Sequence, residues 1–337
     1  MFYRPNSMWS WTLLAANVIE TGTVLTIEAL IFTEVQLHLT LNVLATPESK
    51  TIPSFLTLLI FGFIYQALLL YDTLAQRNTI QLIGLCIFAA CLFIYAVLQI
   101  DEVEKVILVL LSFHRLIPAS DVYFIRPLSI ANAVLTGLYT TTIALVSFKL
   151  YSEFQWTIYR LLNADLKMQQ RYFTFKIYVT LLKFDVFFFL GFMIQFLAIA
   201  VGDGGAESAL TIAYIPFIVM TLSVSTWFMR RENTTGMLVV LCLHLASFAF
   251  FIFKFARMYQ PSHAPDYLPA RKILTYFGVI TLLLSFLIIV VAVKCIANFN
   301  KGLKIHINSN RLARGLLEDY EMEMSESRNL TSVQREE

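Results

Sequence analysis

The stretch Lys183-Phe184-Asp185-Val186-Phe187-Phe188-Phe189-Leu190-Gly191-Phe192-Met193-Ile194-Gln195-Phe196, which runs on to Val201, decides the fold. Residues 186–201 are apolar except for Gln195, rich in Phe, and followed at once by Gly202-Asp203-Gly204-Gly205. A hydrocarbon core takes about 20 apolar residues to cross as a helix, and this run with the turns before Lys183 supplies them. Lys183 and Asp185 mark its entrance, and a basic segment precedes it. It reads as a transmembrane helix with a marked inner end.

The rest of the chain agrees. Of 337 residues, 58% are hydrophobic and 14% charged, and the mean hydropathy is +0.69. A soluble domain carries about 25% charged residues to cover its surface, so this chain has too few. The expected fold is all-α, a polytopic transmembrane helix bundle of eight spans, or seven if the first does not insert. No basic patch with interleaved aromatics points to nucleic acid. Cys86, Cys91, Cys242 and Cys295 lie in apolar runs with no C-x-x-C pair, so they read as small buried hydrophobes rather than a disulfide framework or zinc site.

In chain order, residues 1–10 form a cytosolic lead with Trp9 and Trp11 at headgroup level. The first span, 11–33, reads as an uncleaved signal anchor and is the weakest by hydropathy because of Asn17, Glu20 and Glu28. Residues 34–53 read as a loop. The alternation of Val35, Leu37, Leu39 and Leu41 with polar residues suggests a short strand or hairpin, with Pro47 and Pro53 bracketing a turn. Spans two and three, 54–73 and 79–100, share a short link and must be antiparallel. After Asp101-Glu102-Val103-Glu104-Lys105 the apolar run Val106–Phe113 is too short to cross, so a separate re-entrant or surface helix is expected there. The remaining spans are 128–148, 178–201, 209–229, 235–256 and 273–296. The basic connection 149–176 is expected to continue as helix. Pro261, Pro265 and Pro269 break the 257–272 loop, and residues 297–337 form a partly disordered cytosolic tail. No repeat of 20–50 residues is visible.

Eight spans put both termini on one side. That side carries Arg4, Arg77, five basic residues in 149–176, Arg230, Arg231, Lys294, Lys301, Lys304, Arg311 and Arg314, making 14 against 7 on the other. Basic loops stay cytosolic, so both termini are predicted to be cytosolic. The sequons Asn233-Thr234-Thr235 and Asn329-Leu330-Thr331 are then silent.

Ionisable groups inside spans are the best pointers to function in a membrane protein. On a helical wheel Asn17, Glu20, Thr21 and Glu28 share an arc of about 100°. This candidate intramembrane polar site suits a proton or cation relay, or recognition of a cationic or hydroxylated ligand. The competing reading is structural hydrogen bonding between helices. Lys183 and Asp185 are two apart and point to opposite sides of their helix, so each is an interface anchor or pairs elsewhere. Lys254 reads as a snorkelling anchor. His244 reads as a packing residue, and Gln66, Asn132 and Gln195 as interhelical hydrogen-bonding groups. His263, Asp266 and Tyr267 form only a weak constellation. No zinc motif, P-loop or nucleophile elbow is present, so neither a metal, a cofactor nor an enzymatic activity is expected. Leu303, Ile305 and Ile307 among Lys301, Lys304, Arg311 and Arg314 suit contact with membrane lipids. The acidic run beyond could meet coat or sorting machinery.

At Leu181-Leu182-Lys183-Phe184-Asp185-Val186-Phe187-Phe188-Phe189-Leu190-Gly191-Phe192 the chain resembles the fungal family of uncharacterised Golgi apparatus multispanning membrane proteins. The stretches Thr46–Pro53, Phe61–Gln66, Asn78–Cys86 and Asn163–Met168 support this, and the resemblance runs from about residue 8 to 300. It implies a Golgi membrane address and a polytopic fold, and it carries over no catalytic or binding residue. Two functions are expected to compete. One is a transporter or small-molecule/lipid handler using the first-span stripe. The other is a non-catalytic protein of Golgi organisation or cargo sorting, acting through the 149–176 loop and the tail.

Overall fold

The computed structural model describes residues 7–38, 47–112, 125–161, 166–200, 206–260 and 271–299. These form eight helices: α1 (Met8–His38), α2 (Pro47–Gln76), α3 (Thr79–Ser112), α4 (Ile125–Leu161), α5 (Leu166–Ala200), α6 (Ala206–Arg231), α7 (Thr234–Arg257) and α8 (Arg271–Ala297). Each contains a window long and apolar enough to cross a membrane. No strand occurs among the described residues. The bundle is all-α and polytopic.

The helices form two units of four. In the first, α1 packs on α2 and α4, and α3 packs on α2 and α4, so the four close on themselves. In the second, α5 packs on α6 and α8, and α7 packs on α6 and α8, which is the same arrangement. The units meet chiefly where α5 lies on α2 and α3. Two-thirds of the apolar window of α5 (67%) is buried, against 22% to 50% for the other seven, so α5 is the central helix. This is why it carries the densest Phe run. Phe187 sits edge-on to Phe88 of α3 at 4.8 Å between centroids, 5.4 Å from Phe61 of α2 and 6.0 Å from Phe277 of α8. One ring thus joins both units. Such aromatic pairs add about 0.5–1.5 kcal/mol each beyond the area they cover.

The second and third helices of each unit are joined by the same tight corner. Arg77 and Glu232 take φ of 45° and 51°, the left-handed conformation that ends a helix. Asn78 N–H then donates to Thr73 O (3.2 Å) and Asn233 N–H to Phe228 O (3.3 Å), which satisfies carbonyls the ending helix leaves open. The Asn that follows starts the next helix. Asn233 Oδ1 accepts from Gly236 N–H (3.2 Å), and Asn78 O accepts from Leu82 N–H (3.0 Å). Neither corner uses Gly, so the repeat is invisible to a search for Gly-marked turns.

Several expectations change. Residues 34–38 belong to α1 and 47–53 to α2, with Pro53 inside the helix, so no hairpin forms there; residues 39–46 lie outside those described. The alternation of Val35 and Leu37 was too short to compete with the preceding helix, whose backbone bonds propagate at little cost. The separate helix after Asp101 is likewise absent, because α3 runs unbroken to Ser112. The polar group at 101–105 lies within α3 and does not start a new element. The 149–176 connection is helical up to Leu161 and again from Leu166. Of the cysteines, Cys295 is buried, Cys86 and Cys91 are half-buried and Cys242 is exposed; an apolar run in a bundle also has an outward face. The tail, and His263, Asp266 and Tyr267, lie outside the described residues.

The close approach of α3 to α5 rests on Gly84. A Cβ placed there would lie 2.4 Å from the Phe184 ring. A Cβ at Gly22 on α1 would meet nothing within 4 Å. Gly84→Ala is therefore expected to cost about 1–3 kcal/mol by overpacking, while Gly22→Ala leaves stability unchanged or slightly higher. Thermal unfolding of the two purified variants beside wild type checks this, and equal midpoints would refute the packing assigned to Gly84.

Candidate functional site

In lipid, apolar periodicity alone does not orient a helix, since the solvent is as apolar as the neighbouring helices. Helix α1 is oriented by its polar residues. Its buried positions are Ser10, Leu13, Asn17, Glu20, Val24, Glu28 and Ile31, a single stripe at helical spacing. Glu20 and Glu28 are both 0% exposed. Eight residues separate them, about 12 Å along the axis.

Each carboxylate is met by carboxamides from other helices. Gln66 of α2 donates to Glu20 Oε2 at 2.9 Å. Asn132 of α4 donates to Glu28 Oε1 at 2.5 Å, and Gln99 of α3 donates to both Glu28 oxygens at 3.4 and 3.2 Å. No basic side chain pairs with either glutamate among the described residues. Several buried atoms here have no hydrogen-bond partner: Thr21 Oγ1, Gln66 Oε1, Gln99 Oε1 and Asn132 Oδ1, while the Asn17 amide lies close to Glu20. Asn17 lies one turn before Glu20, while Thr21 sits half-buried at the edge of the stripe. The four residues grouped by the helical wheel thus share one inward face, divided into two levels.

A third cluster joins the two units near the face where α1 begins and α8 ends. Lys183 of α5 donates to Asp72 of α2 and to Gln81 of α3 (3.1 Å). Gln81 and Gln76 in turn donate to Asp72 at 2.7 and 2.6 Å. Tyr65, two turns before Asp72 on α2, donates its Oη proton to Lys183 O at 2.5 Å. Lys183 is therefore an ion-pairing residue with a partner on another helix. Asp185, two positions on, faces the other way and is buried, accepting from Ser285 of α8 at 3.3 Å. Interface anchoring does not describe Asp185. Nor does it describe Lys254, which is 1% exposed with its Nζ 4.7 Å from the Phe196 ring centroid. The long apolar stem lets the bundle enclose Lys254 against aromatic faces that attract its charge. His244 Nδ1 lies 3.0 Å from Val240 O on its own helix. Gln195 is buried beside Tyr95 of α3, as expected of an interhelical group, with its amide oxygen unpartnered.

Towards the opposite face, Glu102 of α3 is buried and lies 2.8 Å from Lys105 and 3.8 Å from Lys272 of α8. Arg126 of α4 lies 3.3 Å from Glu104. Sequence reasoning missed Gln99, Asp72, Gln81 and Glu102. Their residue types were visible, but a single amide or acid gains meaning only once the helix facing it is known. The spacing Gln99-x-x-Glu102, one helical turn, was the one available signal. Among the described residues, no group of three His, Cys, Asp or Glu is placed to hold a metal ion.

These features define a polytopic membrane protein with a carboxylate–carboxamide core in one four-helix unit and an ion-paired seam between units. The chain is 32% identical over 285 residues, 79% of its length, to a fission yeast (Schizosaccharomyces pombe) protein described as a UPF0658 Golgi apparatus membrane protein, and the match covers 81% of that relative. It belongs to the UPF0658 family of Golgi apparatus membrane proteins. No family model matches the chain. No solved structure matches it.

Lys183 and Asp72 stabilise the seam together, so their substitutions should not add. Lys183→Met and Asp72→Asn are each expected to cost about 1–3 kcal/mol, because each leaves the other's charge without its partner. The double variant should cost less than the sum by about 1 kcal/mol or more. Unfolding midpoints of the four proteins give the coupling, and simple additivity would remove the pair's role.

Proposed function

We propose that this protein is a transporter of small molecules in the Golgi membrane, with its path organised by the polar face of α1 and both termini in the cytosol. The observation that carries the reading is the pair of fully buried glutamates, Glu20 and Glu28, met by carboxamides from α2, α3 and α4. Helices can be held together by neutral hydroxyls and amides alone. Placing an ionisable group within a span costs a few kcal/mol more, about 2.5–3.5 for Asp on insertion scales. Two such groups on one stripe support a role for their charge. The unsatisfied amide and hydroxyl atoms beside them suit polar groups that a passing solute could engage. The Golgi address follows the family, and the excess of basic residues on one side supports the orientation.

The reading is tested in cells that lack the protein and receive it back as wild type, as Glu20→Gln/Glu28→Gln, or without residues 300–337. Small-molecule contents of Golgi-enriched vesicles are compared after confirming that each form folds and reaches the membrane. The double variant is expected to match vesicles lacking the protein, and the shortened form to match wild type. If the double variant behaves as wild type and the shortened form does not, transport fails and a sorting role through the tail takes its place.

The orientation has its own check. In sealed Golgi vesicles a C-terminal tag should be removed by added protease, and Asn233 should carry no glycan. A protected tag or a glycan at Asn233 would reverse the assignment.

A further inference from the structure

Glu28 has a more specific environment than Glu20. Three helices converge on it: α1 supplies the carboxylate, α3 supplies Gln99 and α4 supplies Asn132. Glu28, Gln99 and Asn132 are 0%, 2% and 2% exposed. Both amides turn their NH2 groups to the carboxylate, and both leave their own carbonyl oxygen, Gln99 Oε1 and Asn132 Oδ1, buried without a partner. Tyr95 of α3 lies within electrostatic reach of Glu28 and beside Gln195 of α5, whose amide oxygen is also unpartnered. Tyr95 itself donates to Phe55 O at 2.8 Å, so its hydroxyl proton is engaged elsewhere.

Two features of this cluster need a common account. A buried carboxyl with no cationic neighbour is ionised only at a cost in a low dielectric, so it takes up either a proton or another cation. Buried amide oxygens without donors are a second cost. Hydrogen bonds from amide NH2 groups ease the first and create the second. A bound cation removes both, because rotating each amide by a half-turn presents its oxygen instead of its NH2. Carboxamides are suited to this, since they can donate to an empty carboxylate and coordinate a filled one.

We propose that Glu28, Gln99 and Asn132 form a binding site for a dehydrated alkali metal ion, Na⁺ or K⁺, between α1, α3 and α4. The inference rests on the transport reading and gives it a coupling ion. The donors are all oxygen, which suits hard cations. One carboxylate balances one positive charge, and calcium sites gather more carboxylates than this. The ligands come from three helices, so occupancy links α1, α3 and α4.

The test uses the full-length protein in detergent micelles, in a buffer whose only cation is a large organic one. Added Na⁺ or K⁺, at constant ionic strength, is expected to raise the unfolding temperature of wild type saturably. In Glu28→Gln the saturable response should be lost. Asn132→Leu keeps the carboxylate and removes one donor, and should weaken the apparent affinity at least tenfold. It keeps the proposal testable if Glu28→Gln does not fold. A wild type indifferent to both ions overturns the proposal, as does an equal response in Asn132→Leu. Stabilisation by acid alone, with no alkali response, also overturns it and assigns Glu28 to a proton. Ion binding is read here without any transport measurement. A site that binds Na⁺ in a protein whose vesicle contents ignore Glu20→Gln/Glu28→Gln would leave the ion site standing and remove the transport reading.

Discussion

A carboxyl group held inside a membrane bundle must be met by dipoles, charge or a proton, and that requirement governs the first half of this molecule. Helix α1 has apolar residues on every side, so burial of apolar area would leave its rotation and its neighbours poorly defined. Glu20 and Glu28 remove that freedom. Glu20 fixes α1 against α2 through Gln66, and Glu28 fixes it against α3 and α4 through Gln99 and Asn132. Two side chains thus tie α1 to each of the other three helices of the unit. The site and the fold are therefore the same set of contacts, and a change at either glutamate bears on both.

The second half relies on a different device. Helix α5 is enclosed, and its Phe187, Phe188 and Phe192 pack against rings and small residues on several neighbours. Close approach is permitted where a glycine faces a ring, as at Gly84 against Phe184 and Gly191 against Phe277. Direction and height are then set by a few polar contacts. Lys183 reaches Asp72 and Gln81, Tyr65 donates to the Lys183 carbonyl, and Tyr276 Oη donates to Cys91 O at 2.8 Å. Aromatic packing supplies the bulk of the attraction across the seam, and these bonds select one register from the many a smooth apolar surface would allow.

Much of this was legible in the sequence, and the limits have physical causes. The spans were legible because about 20 apolar residues must appear together wherever a helix crosses a bilayer. The inward face of α1 was legible because polar residues in an apolar helix stand out against their background. The wheel position of Asp185 opposite Lys183 likewise follows from helix geometry. What faces what was not legible. Asp72 and Gln81 as partners of Lys183, and Gln99 as partner of Glu28, depend on the packing of helices distant in sequence. Lys254 was misread for a related reason: a lysine near a helix end usually reaches water, and only its neighbours, Phe196 and Phe250, show that here it is enclosed. The run after Asp101 was misread because charged residues were taken to interrupt a helix that in fact continues through them to Ser112.

The repeat of two four-helix units sharpens the meaning of the polar residues. In each unit the first helix presents a carboxylate to a polar side chain of the fourth, Glu28 to Asn132 in one and Asp185 to Ser285 in the other. A first and fourth helix closing a ring of four gain from a directional bond between them, and in the first unit that bond is part of the carboxyl–carboxamide cluster. The units differ in what surrounds that contact. Only the first unit adds a second buried glutamate on the same stripe and surrounds its acids with carboxamides whose oxygens are unsatisfied, among the described residues. The second unit spends its interior on aromatic packing and on the enclosed Lys254. Both units leave buried polar atoms unsatisfied, in the second at Tyr214, His244 and Ser247 among others, but among the described residues only the first gathers such atoms around buried glutamates.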